Sequence, residues 1–300
     1  MLPEIRNNTT RMRIIQLFLF LFFTLNSFAQ DCKIDGAEVM EDKPLIRKRT
    51  ILDTATVKVL YELQYREDST KAEKTKAQTI LLCGDTHCMF LDYYTILADS
   101  MAYAMEKQKA SPSEFMGKIH NLHKKRKFKI EILTDFAKDI TSVCEEAIET
   151  YAYTEPAASF SWNLAEGDTT LLGYKCSKAT CTFRGRNYIA WYAQDINIPL
   201  GPYRFGALPG IIMLMYDTKD NYIFTLNGLE TNPTTNNLIY QKEEGSLFHK
   251  GEKEKMRAII KKENEHWTES ILSSPIIRID PEVAAKMDRT PDPYNPIELE

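Results

Sequence analysis

Beyond Gln30 the sequence has no apolar run approaching the roughly 20 residues that a membrane-spanning helix needs. Nor does it carry surplus positive charge: 38 Lys and Arg stand against 42 Asp and Glu, giving a net charge of −4. A dedicated nucleic-acid binder is normally basic, so that balance argues against one. There is no internal repeat and no low-complexity tract. Histidine is scarce, five in all, and no signature fixes the geometry of a Cys–His nucleophile pair. The remaining composition, 43% hydrophobic and 27% charged, is ordinary for a soluble protein.

The long apolar run that is present lies at the start. In "RMRIIQLFLFLFFTLNSFA", Arg11 and Arg13 precede apolar residues from Ile14 to Phe23, and Ser27-Phe28-Ala29 supplies small residues for an export peptidase. Residues 1–29 are therefore expected to be a cleaved signal peptide, and residues 30–300 a single exported domain, in the periplasm, the cell envelope or outside the cell. No transmembrane segment is expected after cleavage.

Six cysteines follow: Cys32, Cys83, Cys88, Cys144, Cys176 and Cys181. An even count in an exported chain suggests disulfides. Cys176 and Cys181 sit in what reads as one strand, where five residues separate them by roughly 16 Å. A disulfide tolerates about 7 Å between Cα atoms, so those two are not expected to bond. Cys83 and Cys88 flank a four-residue turn and form the preferred bridge.

The period-two alternation of Val57, Val59, Tyr61, Leu63 and Tyr65 in "TVKVLYELQY" predicts a half-buried strand. Further strands follow at short intervals with few helices between them, which predicts antiparallel pairing rather than βαβ winding. A helical insertion is expected over about 95–125, its second part opened by Ser111-Pro112 as N-cap and first helical residue. Another helix is expected over about 252–272, with Met256, Ile260, Trp267 and Ile271 on one stripe. The tail, 274–300, rich in proline, reads as extended and lying across the surface. The fold class is mainly β (α+β): a curved antiparallel sheet or half-barrel with a helical insertion and a C-terminal helix packed on it.

The densest punctuation is "GPYRFGALPGIIMLMYD", Gly201 to Asp217. Pro209-Gly210 fits the central positions of a type II turn, and Gly206 would allow close approach to a neighbouring strand. An anion cradle would need successive free N–H groups and usually a following helix; here proline removes a donor and a strand follows. The corner reads as structural. Met213 and Met215 then share one face of the strand, Ile212 and Leu214 the other, so both faces need cover.

"FGALPGII" resembles the hexapeptide signature of the GLPGLI family, exported proteins of Bacteroidetes-type bacteria, through Gly206, Leu208, Pro209, Gly210, Ile211 and Ile212. "LLGYKCSKA", "AWYAQDINIPLGPYRF" and the terminal "YNPIELE" are similar to further family blocks in the same order, so the likeness spans most of the mature chain. The family has no established activity, cofactor or catalytic residues. Its members often accompany outer-membrane TonB-dependent transport systems, which implies an accessory role in the cell envelope. The segment 92–127 is longer and more charged than the resemblance leads one to expect.

Several clusters have the residue types of chemistry. "CGDTHC" joins Cys83, His87 and Cys88, and thiolates with imidazole suit zinc or copper; a disulfided hairpin with a surface histidine is the structural counterpart. His120 and His123 stand three apart on a helix among lysines, which disfavours a cation. The "KKRK" run, Lys124 to Lys127, suits anionic headgroups or a solvated helix end. Trp191, Tyr203, Phe205, Met213 and Met215 are candidates to line an apolar ligand site, or simply core. The expectation is an exported accessory or binding protein that takes an apolar small molecule or docks with an outer-membrane transporter. It has no assigned catalytic residue or cofactor; the alternative is a copper- or zinc-handling protein using Cys83, His87 and Cys88.

Overall fold

Val59, Tyr61 and Leu63 are fully buried while the residues between them are not, and this alternation runs along the strand at the centre of a large sheet. The computed structural model describes residues 49–109, 111–242, 248–274 and 279–300. The expected signal peptide, 1–29, and Cys32 lie outside the described residues. In chain order the first elements are β1 (Arg49–Thr54), β2 (Val57–Tyr65), β3 (Thr75–Cys83), β4 (His87–Asp92), α1 (Tyr93–Lys107) and α2 (Pro112–Lys125). Then come β5 (Ile130–Asp135), β6 (Ile140–Glu146), β7 (Thr150–Pro156), β8 (Asn163–Leu171), β9 (Tyr174–Phe183) and β10 (Arg186–Ala193). The last are β11 (Ile211–Asp217), β12 (Tyr222–Thr231), β13 (Leu238–Lys242), β14 (Phe248–Lys250), α3 (Lys253–Glu265), α4 (Trp267–Ser273) and α5 (Pro281–Ala284).

Twelve strands form one open sheet in the order β14-β7-β6-β5-β4-β3-β2-β12-β11-β10-β9-β8, and β1 pairs with β13 beside it. All neighbours are antiparallel except β14 and β7. A sheet of this width twists and bows rather than lying flat. The fold is thus mainly β, an open antiparallel sheet with a helical insertion and a C-terminal helix.

Strand parity gives the sheet two apolar faces. On β3, Ala77, Leu81 and Cys83 face the larger core, which also takes Met256 and Ile260 of α3 and Ile297 of the tail. Ile80 and Leu82 face the opposite way, toward Ile96 of α1 and toward Ile239 and Tyr240 of β13. The insertion and the C-terminal helix therefore cover opposite faces of the sheet. One carboxylate pins both ends of the insertion: Asp92, 1% exposed, accepts the N–H of Tyr94 at 2.8 Å, of Lys127 at 2.9 Å and of Phe128 at 3.0 Å. Ser111 caps α2 through the N–H of Glu114.

The helix expected over 252–272 is two helices. His266, at φ −122° and ψ 51°, leaves helical geometry and divides α3 from α4. Glu263, which interrupts the apolar stripe, accepts the N–H of Ile148 at 3.0 Å and the hydroxyl of Tyr151 at 2.5 Å, so its carboxylate is employed there.

Candidate functional site

The corner is a small hairpin folded over the larger core. Leu200 bridges Gly206, the N–H of Ala207 reaches Pro199 O at 3.0 Å, and the N–H of Phe205 reaches Pro202 O at 3.0 Å. Its tip, Tyr203-Arg204-Phe205, points inward: Tyr203 and Phe205 are each 3% exposed and the Arg204 side chain 2%. Tyr203 and Ala207 adopt φ of 60° and 64° although neither is glycine. Strain of that kind persists only where the surroundings over-determine it. The expected type II turn at Pro209-Gly210 is replaced by a tighter one. The N–H of Gly210 bonds Leu208 O at 2.8 Å, closing a three-residue turn around Pro209, while the N–H of Ile211 turns to Ile196. A Cβ on Gly210 would lie 2.1 Å from Ala193 O, so close backbone approach requires glycine there.

Of the residues considered for a ligand wall, Tyr203, Phe205, Met213 and Met215 belong to the larger core cluster and Trp191 packs against it. Trp191 opposes Leu214 whereas Tyr192 opposes Ile212, leaving Met213 as an extra, unpaired residue. This bulge resets the alternation: Met213 and Met215 lie together in the larger core, but Ile212 joins them there rather than sharing the other face with Leu214. Tyr192 and Ala190 share a face by strand period. Ile212 and Met215, opposite them, therefore share it too. Trp191 is half-buried against this cluster, and Lys178 Nζ sits 5.8 Å from its ring centroid. Met213 and Met215 are 2% and 0% exposed. Around Phe205 the rings of Tyr188, Phe160 and Phe183 stand at 4.8, 5.0 and 5.4 Å. Among the described residues the hollow of the sheet is packed with the protein's own side chains. An open depression of about 560 Å³ lies elsewhere, lined by Ile51, Leu52, Asp53, Ala55, Asp85 and Pro233.

Arg204, which in the sequence was only the cation nearest the corner, meets two carboxylates. Its Nη1 donates to Glu155 Oε1 at 2.5 Å, and its Nη2 lies 3.2 Å from Glu298 Oε1. Glu155 also accepts from Arg184 at 2.5 Å and Lys253 at 2.8 Å; Glu298 accepts from the Tyr203 hydroxyl at 2.7 Å and from Arg257 at 3.4 Å. Burial alone would push the Glu155 carboxyl up, but Lys253, Arg204 and Arg184 hold it below its ordinary range. Arg204 Nε, Arg204 Nη2 and Arg184 Nε are buried and make no hydrogen bond among the described residues. Four cations thus surround two carboxylates.

Glu298 belongs to the tail. The tail is interrupted by α5 and does not lie wholly across the surface: Ile297 and Glu298 are 2% and 1% exposed, before Leu299 returns to solvent at 51%. Arg186, 4% exposed and paired with Asp217 at 3.2 Å, donates to Asn295 Oδ1, Pro296 O and Ile297 O. The hydroxyls of Tyr188 and Tyr222 donate to Ile297 O and Asn295 O.

Cys83 and Cys88 are directly opposed on β3 and β4, with Cα atoms 4.2 Å apart, and form a disulfide. The metal alternative fails on this point, because both sulfurs are consumed and only His87 of the three proposed ligands remains. His87 Nδ1 instead contacts Thr86 Oγ1 at 2.8 Å. The turn between the cysteines is clasped by Asp53, which accepts from Thr86 N, Thr86 Oγ1 and His87 N at 2.7, 2.8 and 3.1 Å. Burial works against its ionisation, yet these donors and Thr54 hold its carboxyl down to about 2. Cys176 and Cys181 remain buried thiols; burial pushes Cys181 up to about 12, away from nucleophilic thiolates. His123 is pushed down, first by burial and then by Arg126. The basic run is partly employed: Arg126 pairs with Glu146, and Lys125 lies over the Tyr94 ring.

No family model matches the chain. No curated protein matches it either. Among solved structures, two crystal forms of PNGF-II are similar over 70% and 76% of this chain, at 12% and 14% identity and a TM-score of 0.42 in both. The chain spans only 33% and 38% of those proteins. A LolA superfamily protein from Nitrosomonas europaea is similar over 61% of this chain and 89% of its own, at 8% identity and a TM-score of 0.24. A DUF1329 family protein from Desulfovibrio piger is similar over 61% and 88%, at 7% identity and a TM-score of 0.21. Likenesses this loose carry no inference about what the chain binds or does.

Proposed function

We propose that the protein is an exported, non-catalytic accessory protein of the cell envelope, of the GLPGLI type, that engages its partner at the rim of its sheet. Strand β8 carries this reading. It is the last strand in the order and, among the described residues, pairs on one side only. On it Leu164 is 69% exposed, and beside it Leu172 in the β8–β9 turn and Tyr174 at the start of β9 are 69% and 41% exposed. An unpaired strand edge with apolar side chains is a template for adding a strand from another chain. The occupant is an extended segment of an outer-membrane TonB-dependent transporter, the partner implied by the family resemblance. The leader sequence supports export, and a disulfide is at home in an oxidising compartment. Among the described residues no helix is long and apolar enough to cross a membrane.

A photocrosslinking residue at Leu172, in intact cells, tests this. The expected adduct is with an outer-membrane transporter, and it disappears when Leu164 and Tyr174 are changed to Asp and Lys. Adducts with a second copy only, or none from a folded protein, contradict it. Carriage of an apolar small molecule is the second reading, favoured by the depression beside Ile51, whose volume lies within the range of ligand pockets. Ile51→Asp would abolish that binding and leave the crosslink untouched.

A further inference from the structure

We propose that the trough holding the C-terminal residues is a peptide-receptor site, and that the chain's own Tyr294–Glu298 is an exchangeable occupant, replaceable by the same acidic segment of a second copy. The tail is read as a peptide ligand is read. It belongs to no strand of the sheet. The trough's side chains grip its main chain: Tyr222 reaches Asn295 O at 2.7 Å, Arg186 reaches Pro296 O at 2.5 Å and Ile297 O at 3.1 Å, and Arg257 reaches Glu298 O at 2.8 Å. Side-chain identity is read at three points. Asn295 bonds Arg186 at 2.6 Å and Arg66 O at 2.8 Å, Ile297 enters the core, and the Glu298 carboxylate meets Tyr203 and Arg257.

Charge defines the class of occupant. With Glu298 withdrawn, Arg184, Arg204 and Lys253 would share Glu155 and Arg257 would lose its carboxylate ion pair, and Arg204 already holds two buried nitrogens without a hydrogen bond. An uncompensated buried cation is costly, so an empty trough demands a carboxylate. The required ligand is an extended segment with an apolar residue followed by an acidic one. The connection to the rest of the chain permits departure. α5 has no buried residue, and Asp288 to Pro291 are exposed, so this connecting stretch does not anchor the tail in the core. The trough is built by the corner, β7, β10, β12 and α3 rather than by β8, and does not depend on the docking proposed there.

The test uses the full chain with a site-specific protease sequence placed in the exposed segment 286–290, folded first and cleaved afterwards. A fluorescent peptide of residues 292–300 is then added and its anisotropy followed. Saturable entry, competed by unlabelled peptide, is expected. The Glu298→Gln peptide should bind about tenfold or more weaker, and Arg257→Met in the receptor should weaken the unaltered peptide similarly. Failure of the peptide to enter the cleaved protein, or loss of tertiary circular dichroism when the tail departs, overturns the proposal: the tail would then be a permanent staple of the fold.

Discussion

Tyr203 donates its hydroxyl to Glu298 at 2.7 Å across 95 residues of sequence, both groups being almost wholly buried. Through this contact the corner hairpin and the C-terminal tail complete one another. The hairpin bends inward in a strained backbone, and the tail supplies the carboxylate that its tyrosine and arginine require. Two separated sequence blocks, "GPYRFGALPG" and "YNPIELE", thus form one structural unit.

Removing Arg204 should be severe. Arg204→Met strips Glu155 and Glu298 of their most buried cation, and breaking such a pair from one side typically costs about 3–5 kcal/mol. Chemical denaturation measures it. A loss below about 1 kcal/mol would mean that Arg184, Lys253 and Arg257 carry the network without it.

The strands were legible where a local rule governs them. Val59, Tyr61 and Leu63 announce a strand by period alone, and Cys83 and Cys88 announce their bridge by flanking a turn. Met213 was not legible, because an extra residue is defined by the partner strand: only the opposition of Trp191 to Leu214 and Tyr192 to Ile212 reveals it. Arg204 was missed for the same kind of reason, since Glu155 lies 49 residues away and Glu298 further still. The break at His266 interrupts a stripe whose apolar spacing continues across it, so sequence periodicity gave no signal. The turn at Pro209 was recognised as a turn but assigned the wrong class, which is set by Ile196 accepting the next N–H.

Glu145 makes stability depend on pH. Burial raises its carboxyl from 4.5 to about 7, against the opposing pull of Arg257 and the Tyr294 hydroxyl. Between those values the unfolded chain has released a proton that the folded chain retains, so stability falls as pH rises from 4.5 to 7 and then levels. Glu145→Gln should match the parent near pH 4.5 and exceed it at pH 8 in thermal melts. Identical pH profiles for the two proteins would refute this.

Two glycines separate crowding from conformation. Gly210→Ala drives a Cβ into Ala193 O and should lose more than about 4 kcal/mol or fail to fold. Gly173 has φ +86° with open space around it, so Gly173→Ala should cost only about 1–2 kcal/mol. Urea midpoints of the pair would settle the ranking, and equal losses would contradict it.

Reducing Cys83–Cys88 should lower stability by about 2 kcal/mol, the chain-entropy value for so short a loop, without changing the denaturant slope. An unchanged midpoint would assign the turn's order to the Asp53 clasp alone.

The most direct test of a packed hollow uses Cys181, a thiol buried opposite Tyr188 on the core face. Its modification by a thiol reagent, followed by peptide mass spectrometry across denaturant and referenced to the unfolded chain, yields a free energy of opening. A hollow sealed by Tyr203 and Phe205 requires that value to equal the free energy of global unfolding. A much smaller value, raised by adding an apolar ligand, would show a cavity that opens in the native protein and would contradict recognition at the rim.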